Sequence, residues 1–467
     1  MHASSPHLLR AALAVAIAAA CTSSHAVTIT VGDGSDTTST AVCTLRDAIT
    51  AINYGNAVRY PACAASLSGA FGDNDTVQFA GALAQSTITL TQGQITNYAP
   101  LTIAGNGQTL VAASGSRVLY TIAFLHLSDL TLSGGDAGAA AGGAVYASAA
   151  SVRLDNVRVS GNRAGSGGGL AVVGGSATLV NSTLSQNQAD GGQGGAGIFA
   201  SDANLSMIGS TLADNASTCS GSCGGGVTLV AGSTLALSAC TVAGNNVATS
   251  GTVSAGGVLA IDSQLSAIES TFASNGGSGS DTVAGAVFER HAAGNATAGI
   301  AFTQVTVAGN TATASVPTAG AVAGGLVLGA GGSGRATLAN TILSGNAASR
   351  GGSAAATPDL ALVAGSFAPT ASLLGNALQP AFGGNGNVFA DDPRLAPLAL
   401  YGGTTQTRQP LGDSPAIDAG SDALAVDGAG HTLTLDQRGA ARRTGSHVDL
   451  GADEWPGDAV FRNGFGG

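Results

Sequence analysis

The chain has 467 residues, 72 of them Gly, with 9% charged and 4% aromatic residues, so a core of any size must be filled by Ala, Val, Leu and Ile. The formal charge of −11 comes without a basic stripe, which excludes a nucleic-acid binder and disfavours acidic polymers. The one long apolar run, Ala11–Ala20, is too short to cross a bilayer, which excludes an integral helical membrane protein.

That run follows Arg10 and precedes Ser24-His25-Ala26, a small-x-small cleavage site, so residues 1–26 read as a secretory signal. The alternative is cleavage before Cys21, which would leave a lipid-anchored protein. Cleavage after Ala26 removes Arg10 and leaves 15 Arg, no Lys and 27 acidic residues, a charge of −12. Five cysteines remain, and export favours disulfides. Cys43 with Cys63 and Cys219 with Cys223 are the expected pairs. Cys240 is left over as a buried thiol.

Residues 27–75 read as an N-terminal cap. Thr44 and Asp47 resemble a capping box, and Leu45, Ala48, Ile49 and Ile52 mark one face of a short helix that lids the first coil. Asp73 and Asp75 in GDND are two carboxylates with some calcium-binding chemistry, too few to assign a metal site.

Residues 76–350 carry the strongest signal. An apolar residue, two small or polar residues and Asn recur seven times, ending at Asn162, Asn187, Asn215, Asn245, Asn275, Asn310 and Asn346. The intervals of 25 to 36 residues define a solenoid, whose units bury a core only by stacking. Three residues before each Asn stand Val159, Leu184, Leu212, Val242, Phe272, Val307 and Leu343. Thr183, Thr211, Thr241, Thr271 and Thr306 precede five of these, as expected for strands with one inward face. A strand upstream, and another after a Gly pair such as Gly168-Gly169, give three per coil. The fold class is therefore all-β, a single-stranded right-handed parallel β-helix of the pectate-lyase-like kind, with a helical cap at its start and a capping region at its end. Each repeated Asn is expected at a left-handed turn, its amide stacked on the next as a ladder. Segments such as Val247–Ala255 and Thr311–Ala323 are expected to project as plain loops.

The outward Thr column alone does not make an ice-binding array, because the position two residues on holds Ser or Ala. Candidate chemistry is sparse. Glu289, Arg290 and His291 supply an acid, a cation and a base, but adjacent strand residues face opposite ways, so a solvated loop is the expected setting. Arg153, Asp155 and Arg158, near Arg163, read as surface ion pairs. In residues 351–455, the closing coils and C-terminal cap, His431, Asp436, Arg438, His447 and Asp449 are expected to pair in a buried network. Residues 456–467 form a tail.

Three motif sets carry resemblances. Gly142-Gly143-Ala144-Val145 and Phe272-Ala273-Ser274-Asn275 are similar to the GGA[ILV] and FxxN repeats of polymorphic outer-membrane proteins. Cys43-Thr44-Leu45-Arg46-Asp47-Ala48-Ile49 with Asn53 resembles the CSLREA box. Asp391-Asp392-Pro393-Arg394-Leu395, Ser414-Pro415-Ala416-Ile417-Asp418-Ala419-Gly420, Asp436-Gln437-Arg438-Gly439 and Asp449-Leu450-Gly451-Ala452-Asp453-Glu454 are similar to the choice-of-anchor Q domain. The resemblance implies an exported, surface-displayed β-helix. The expected role is non-catalytic adhesion, binding or surface structure, as a monomer without cofactor or metal, with an extracellular polysaccharide or a cell-surface protein as partner. The alternative is a polysaccharide lyase or glycoside hydrolase using Glu289, Arg290 and His291.

Overall fold

The computed structural model describes residues 26–457. The signal segment with Cys21, and all but the start of the tail, lie outside the described residues. Every coil from Ser151 to Leu362 lays down strands on four faces. Ser151–Asp155, Arg158–Ser160, Arg163–Ser166 and Leu170–Val173 are one coil, and we number their sheets I to IV in that order. Among the described residues the sheets hold 13, 12, 12 and 10 strands. Pairing is parallel from coil to coil, as in Arg158↔Thr183↔Thr211↔Thr241, with antiparallel exceptions at Val27–Val31 with Leu67–Gly69 and at Ala347–Arg350 with Ser353–Ala354. The molecule is a parallel β-helix.

Its core follows the alternation of the strands. Val159, Leu184, Leu212, Val242, Phe272, Val307 and Leu343 line sheet II, and Leu154, Leu179, Met207, Leu237 and Phe302 line sheet I, all in one apolar cluster. Phe272 and Phe302 stack at 5.3 Å between centroids.

The repeated Asn side chains run up the corner between sheets II and III. Six successive Nδ2–H donors reach the next Oδ1 at 2.9–3.0 Å, and each of those oxygens also accepts the preceding Asn backbone N–H at 3.0–3.2 Å. Each Nδ2 also donates to a carbonyl of an earlier coil, such as Asn187 to Val159 O at 3.0 Å. All polar valences are thus met in a buried column. The left-handed residue is not the Asn itself but the one before it: Gly161, Gln186, Asp214, Gly244, Ser274, Gly309 and Gly345 all have positive φ. The Asn is needed for its two donors and its twice-accepting oxygen, so the expected backbone role moves one position upstream.

The ladder ends on a carboxylate, with Asn346 Nδ2 donating to Asp359 Oδ1 at 2.8 Å and Asn346 N at 3.0 Å. Burial pushes the Asp359 carboxyl up to about 6, against 3.8 in an unfolded chain. A folded acid with a raised pKa holds its proton more tightly than the unfolded one, so stability is lost as pH rises between about 4 and 6. Asp359→Asn should therefore be more stable than the parent at pH 7 and lose that advantage near pH 4, read by thermal melts at both values.

The segments expected as projecting loops form sheet III. Asn246–Thr249 and Val253–Ala255, then Thr311–Ala314 and Val322–Ala323, run out and back in register with their neighbours. Their small apolar residues pack twice over. Val253, Ala255, Ala284 and Ala323 cover outward Leu259, Phe288 and Val327 of sheet IV, while Val283, Ala312, Ala314 and Val322 pack on each other. Uncharged Ala, Val, Ser and Thr let these segments stack instead of solvating.

At the N-terminal end a helix, Leu45–Asn53, turns Leu45, Ala48, Ile49, Ala51 and Ile52 inward, and Thr44 Oγ1 accepts the Asp47 N–H at 3.3 Å. Cys43 and Cys63 are joined across 20 residues, and Cys219 to Cys223. A cross-link of the former span is worth about 3 kcal/mol, so the Cys43→Ala/Cys63→Ala pair should lower the unfolding free energy by about that much in denaturant titration. Cys240 is buried, and burial pushes its thiol up to about 11.

The opposite end is closed by residues up to Phe389, including the one-turn helix Gln379–Phe382, whose Phe382 meets Phe367 edge-on at 4.9 Å. The rest of the expected cap does something else. From Ala390 the chain turns back along the outside of sheet II. Ser344 Oγ donates to Ala390 O, Ala452 N donates to Thr306 Oγ1, and Thr271 Oγ1 donates to Gln437 Oε1 at 2.6 Å. Gln437 Nε2 reaches Cys240 O at 3.2 Å, and Thr405 Oγ1 reaches Ala239 O at 3.1 Å. This lateral segment buries Thr241, Thr271 and Thr306 and leaves Arg158, Thr183 and Thr211 uncovered. Outward hydroxyls in a row explain the docking: each supplies a donor and an acceptor to the Gln, Thr and backbone groups laid across it.

Candidate functional site

Glu289 and His291, expected in a solvated loop, are 0% and 7% exposed. Val287–Arg290 is a strand of sheet IV, and Glu289 pairs in register with inward Ala260 and Leu328, so its carboxylate enters the solenoid interior. Two residues on, His291 lies on the same side and holds Glu289 Oε1 through Nδ1 at 2.6 Å. Glu289 Oε2 accepts the Arg335 N–H at 2.8 Å. Burial pushes the Glu289 carboxyl up, while His291 and Arg335 oppose the rise. Arg290 points the other way, to Gly331 O at 3.4 Å. The strand period separates Arg290 from the buried Glu289–His291 pair, so the three side chains do not converge on one face.

The C-terminal carboxylates are equally closed. Arg438 donates to Asp436 Oδ2 and lies 3.5 Å from Asp453 Oδ2, and fully buried Arg442 donates to Ala452 O at 3.0 Å and Asp449 O at 2.8 Å, with Glu454 Oε2 at 3.5 Å. Glu269, from the sheet I–II corner, faces the same cluster. Five buried carboxylates surround two guanidiniums. Burial, with carboxylate repulsion in each case, pushes Glu269, Asp453 and Glu454 up to about 7. His431 and His447 depart from the expected buried network: they stand at the surface, 3.0 Å from Asp427 and 3.5 Å from Asp422.

Asp75 is buried and accepts the Val27 and Gly72 N–H groups, closing the first coil, while Asp73 is exposed. Among the described residues no group of three or more His, Cys, Asp or Glu is arranged to hold a metal. Arg153 Nε and His126 Nε2 each hold Asp155 Oδ2 at 2.8 Å on the open face of sheet I, and Arg163 pairs with Asp190 at 2.7 Å on sheet III. Arg158 faces out of sheet II and has no ion-pair partner among the described residues. His126 was not singled out in the sequence, although it lies one coil before Arg153 and is its register partner.

One open groove, of about 540 Å³, runs along the sheet I–II corner of the N-terminal coils. Its wall is a column of left-handed corner residues, Gln85, Gly107, Asp129, Asn156 and Asn181. Its floor carries Thr131, Arg158 and Thr183. Asn156 Nδ2 donates to Asp129 Oδ1 at 2.6 Å, and one Asp and one Arg leave the lining without net charge. Five stacked coils give a length of roughly 19 Å. One coil further on, beyond Thr211, the tip of the lateral segment at Thr405 and Gln406 ends the open strip.

No protein-family model matches this chain, and no curated protein does. A solved structure described as the crystal structure of pectate lyase Pel9A is similar over 93% of this chain and 97% of its own, at 13% identity and a TM-score of 0.45. Two groove residues stand in a column at the ladder's spacing: the position six before each ladder Asn reads Asn156, Asn181, Gly209, Ala239, Glu269, Gln304 and Asn340, constant in register though not in residue type.

Proposed function

We propose that this protein is a secreted or surface-attached β-helix that works by binding an extracellular partner, or as surface structure, and not by catalysis. One observation carries the reading: the two densest sets of acid and base groups are buried, one inside the solenoid and one in the lateral segment, while the open groove is lined by amides, hydroxyls, Asp129 and an Arg without an ion-pair partner among the described residues. The half-buried His126–Asp155–Arg153 group lies between Thr102 and Thr178 on its sheet face, its one carboxylate held by both His126 and Arg153, and the neighbouring Asp129 turns to the corner, where it accepts from Asn156. Two disulfides and the apolar run Ala11–Ala20 support export, and among the described residues no helix is long and apolar enough to cross a membrane. The CSLREA-like and choice-of-anchor Q-like motifs support display at the surface. In this reading residues 27–75 cap the solenoid, 76–350 are its coils and 351–455 close and brace it.

The experiment is retention of purified residues 27–467 on insoluble polysaccharides and on bacterial cells. Retention without loss of the matrix is expected. Solubilisation of the matrix in proportion to time and protein would overturn the reading.

A further inference from the structure

Resting on the binding role above, we propose that the corner groove is a site for a neutral, extended polysaccharide whose chain lies along the solenoid axis. Three features select this ligand class. First, the groove repeats its polar groups once per coil, about every 4.8 Å. That stride is close to the length of one sugar unit in an extended glycan, so successive units meet corner positions one coil apart, four of the five (Gln85, Asp129, Asn156 and Asn181) carrying polar side chains. Second, the chemistry is that of hydroxyl recognition. Gln85, Asn106 and Asn181 present both a donor and an acceptor, Thr131 and Thr183 supply hydroxyls, and Arg158 has guanidinium donors with no ion-pair partner among the described residues. The Asp129–Asn156 pair adds an acceptor beside a donor, the arrangement that two neighbouring hydroxyls can bridge.

Third, the charges exclude the acidic alternative. Asp129 balances Arg158 within the groove, and on the adjoining sheet I face Asp155 balances Arg153. The chain as a whole carries an excess of acidic residues. A polyanion would thus meet no local attraction to offset repulsion by the rest of the molecule. The groove is also shallow and without aromatic lining, so affinity builds from many weak hydrogen bonds along several units.

The test is calorimetric titration of residues 27–467 with neutral gluco-, manno- and xylo-hexaoses, and with uronate and sulfated oligosaccharides of the same length. Variants are Asn156→Gly/Asn181→Gly, which removes two amides while keeping the left-handed backbone, and Arg158→Ala; unchanged thermal melts establish that each is folded. At least one neutral hexaose should bind, its disaccharide much more weakly, and each variant should lose about tenfold in affinity. Preference for the acidic series would overturn the ligand class while leaving the binding role intact. Affinity unchanged in both variants would move the site elsewhere. Retention on cells with no oligosaccharide bound would overturn the inference and leave a protein partner for the same fold.

Discussion

Asn245→Ala is expected to cost about 3–5 kcal/mol, the largest effect of any single side chain in the coils. The substitution removes little volume, so the loss is one of hydrogen bonds. Asn245 Oδ1 accepts from Asn215 Nδ2 at 2.9 Å and from Asn215 N at 3.2 Å, and its own Nδ2 donates to Leu212 O at 2.9 Å and Asn275 Oδ1 at 3.0 Å. Alanine leaves two donors and two acceptors short of a partner in a site no water reaches, and each buried orphan costs about 1–3 kcal/mol before relaxation. Asn245→Asp restores the oxygen but sets a carboxylate against Asn275 Oδ1, so it must keep a proton. That variant should approach the parent in acid and fall away as pH rises. Denaturant titration of both variants at pH 4.5 and 7.5 checks the assignment. Losses under 1 kcal/mol for Ala would show that the column is ornament and that apolar stacking alone holds the coils.

Arg442→Met should be the most damaging change in the lateral segment, at about 3–5 kcal/mol near pH 7.5. Its guanidinium is 1% exposed and is one of two cations among five buried carboxylates. Methionine fills similar space, so the loss reports charge more than a cavity. The sign with pH follows from the raised acids. Glu269, Asp453 and Glu454 hold protons up to about 7 when folded, whereas their unfolded values lie near 4. The native state therefore binds more protons between those limits, and stability falls as pH rises through that window. Removing Arg442 makes ionisation costlier still, so the fall should steepen and the deficit should shrink toward pH 5. Limited proteolysis should then cut the variant first between residues 390 and 455, leaving the coils intact. A deficit equal at pH 5 and 7.5 would contradict the electrostatic origin.

The solenoid was legible because each coil samples the same environments, so a column of Asn or of inward apolar residues is written seven times over, and one of outward Thr five times. The third sheet was not, because strands such as Gly276–Gly279 and Ala347–Arg350 carry no apolar alternation; backbone pairing with the coils above and below makes them strands. The lateral segment was hidden for a different reason. Gln437 meets Thr271 across 166 residues, and no local pattern encodes so distant a contact. The charge of Glu289 suggested a solvated loop, whereas its register in the strand places it among inward residues. The groove was overlooked since attention fell on carboxylates and histidines, whereas its working groups are the amides and hydroxyls of columns that also shape the corner.

The central claim is that this β-helix holds a partner and does not transform it. Its most direct test is product release from a broad panel of neutral and acidic polysaccharides by residues 27–467 at high protein concentration, with and without calcium, following new reducing ends and unsaturated uronide together. The account gives no product above the buffer control. Sustained turnover that is abolished by Glu289→Gln, His291→Ala or His126→Ala, with the variant still folded, would contradict it and make the altered residue the first member of an active site.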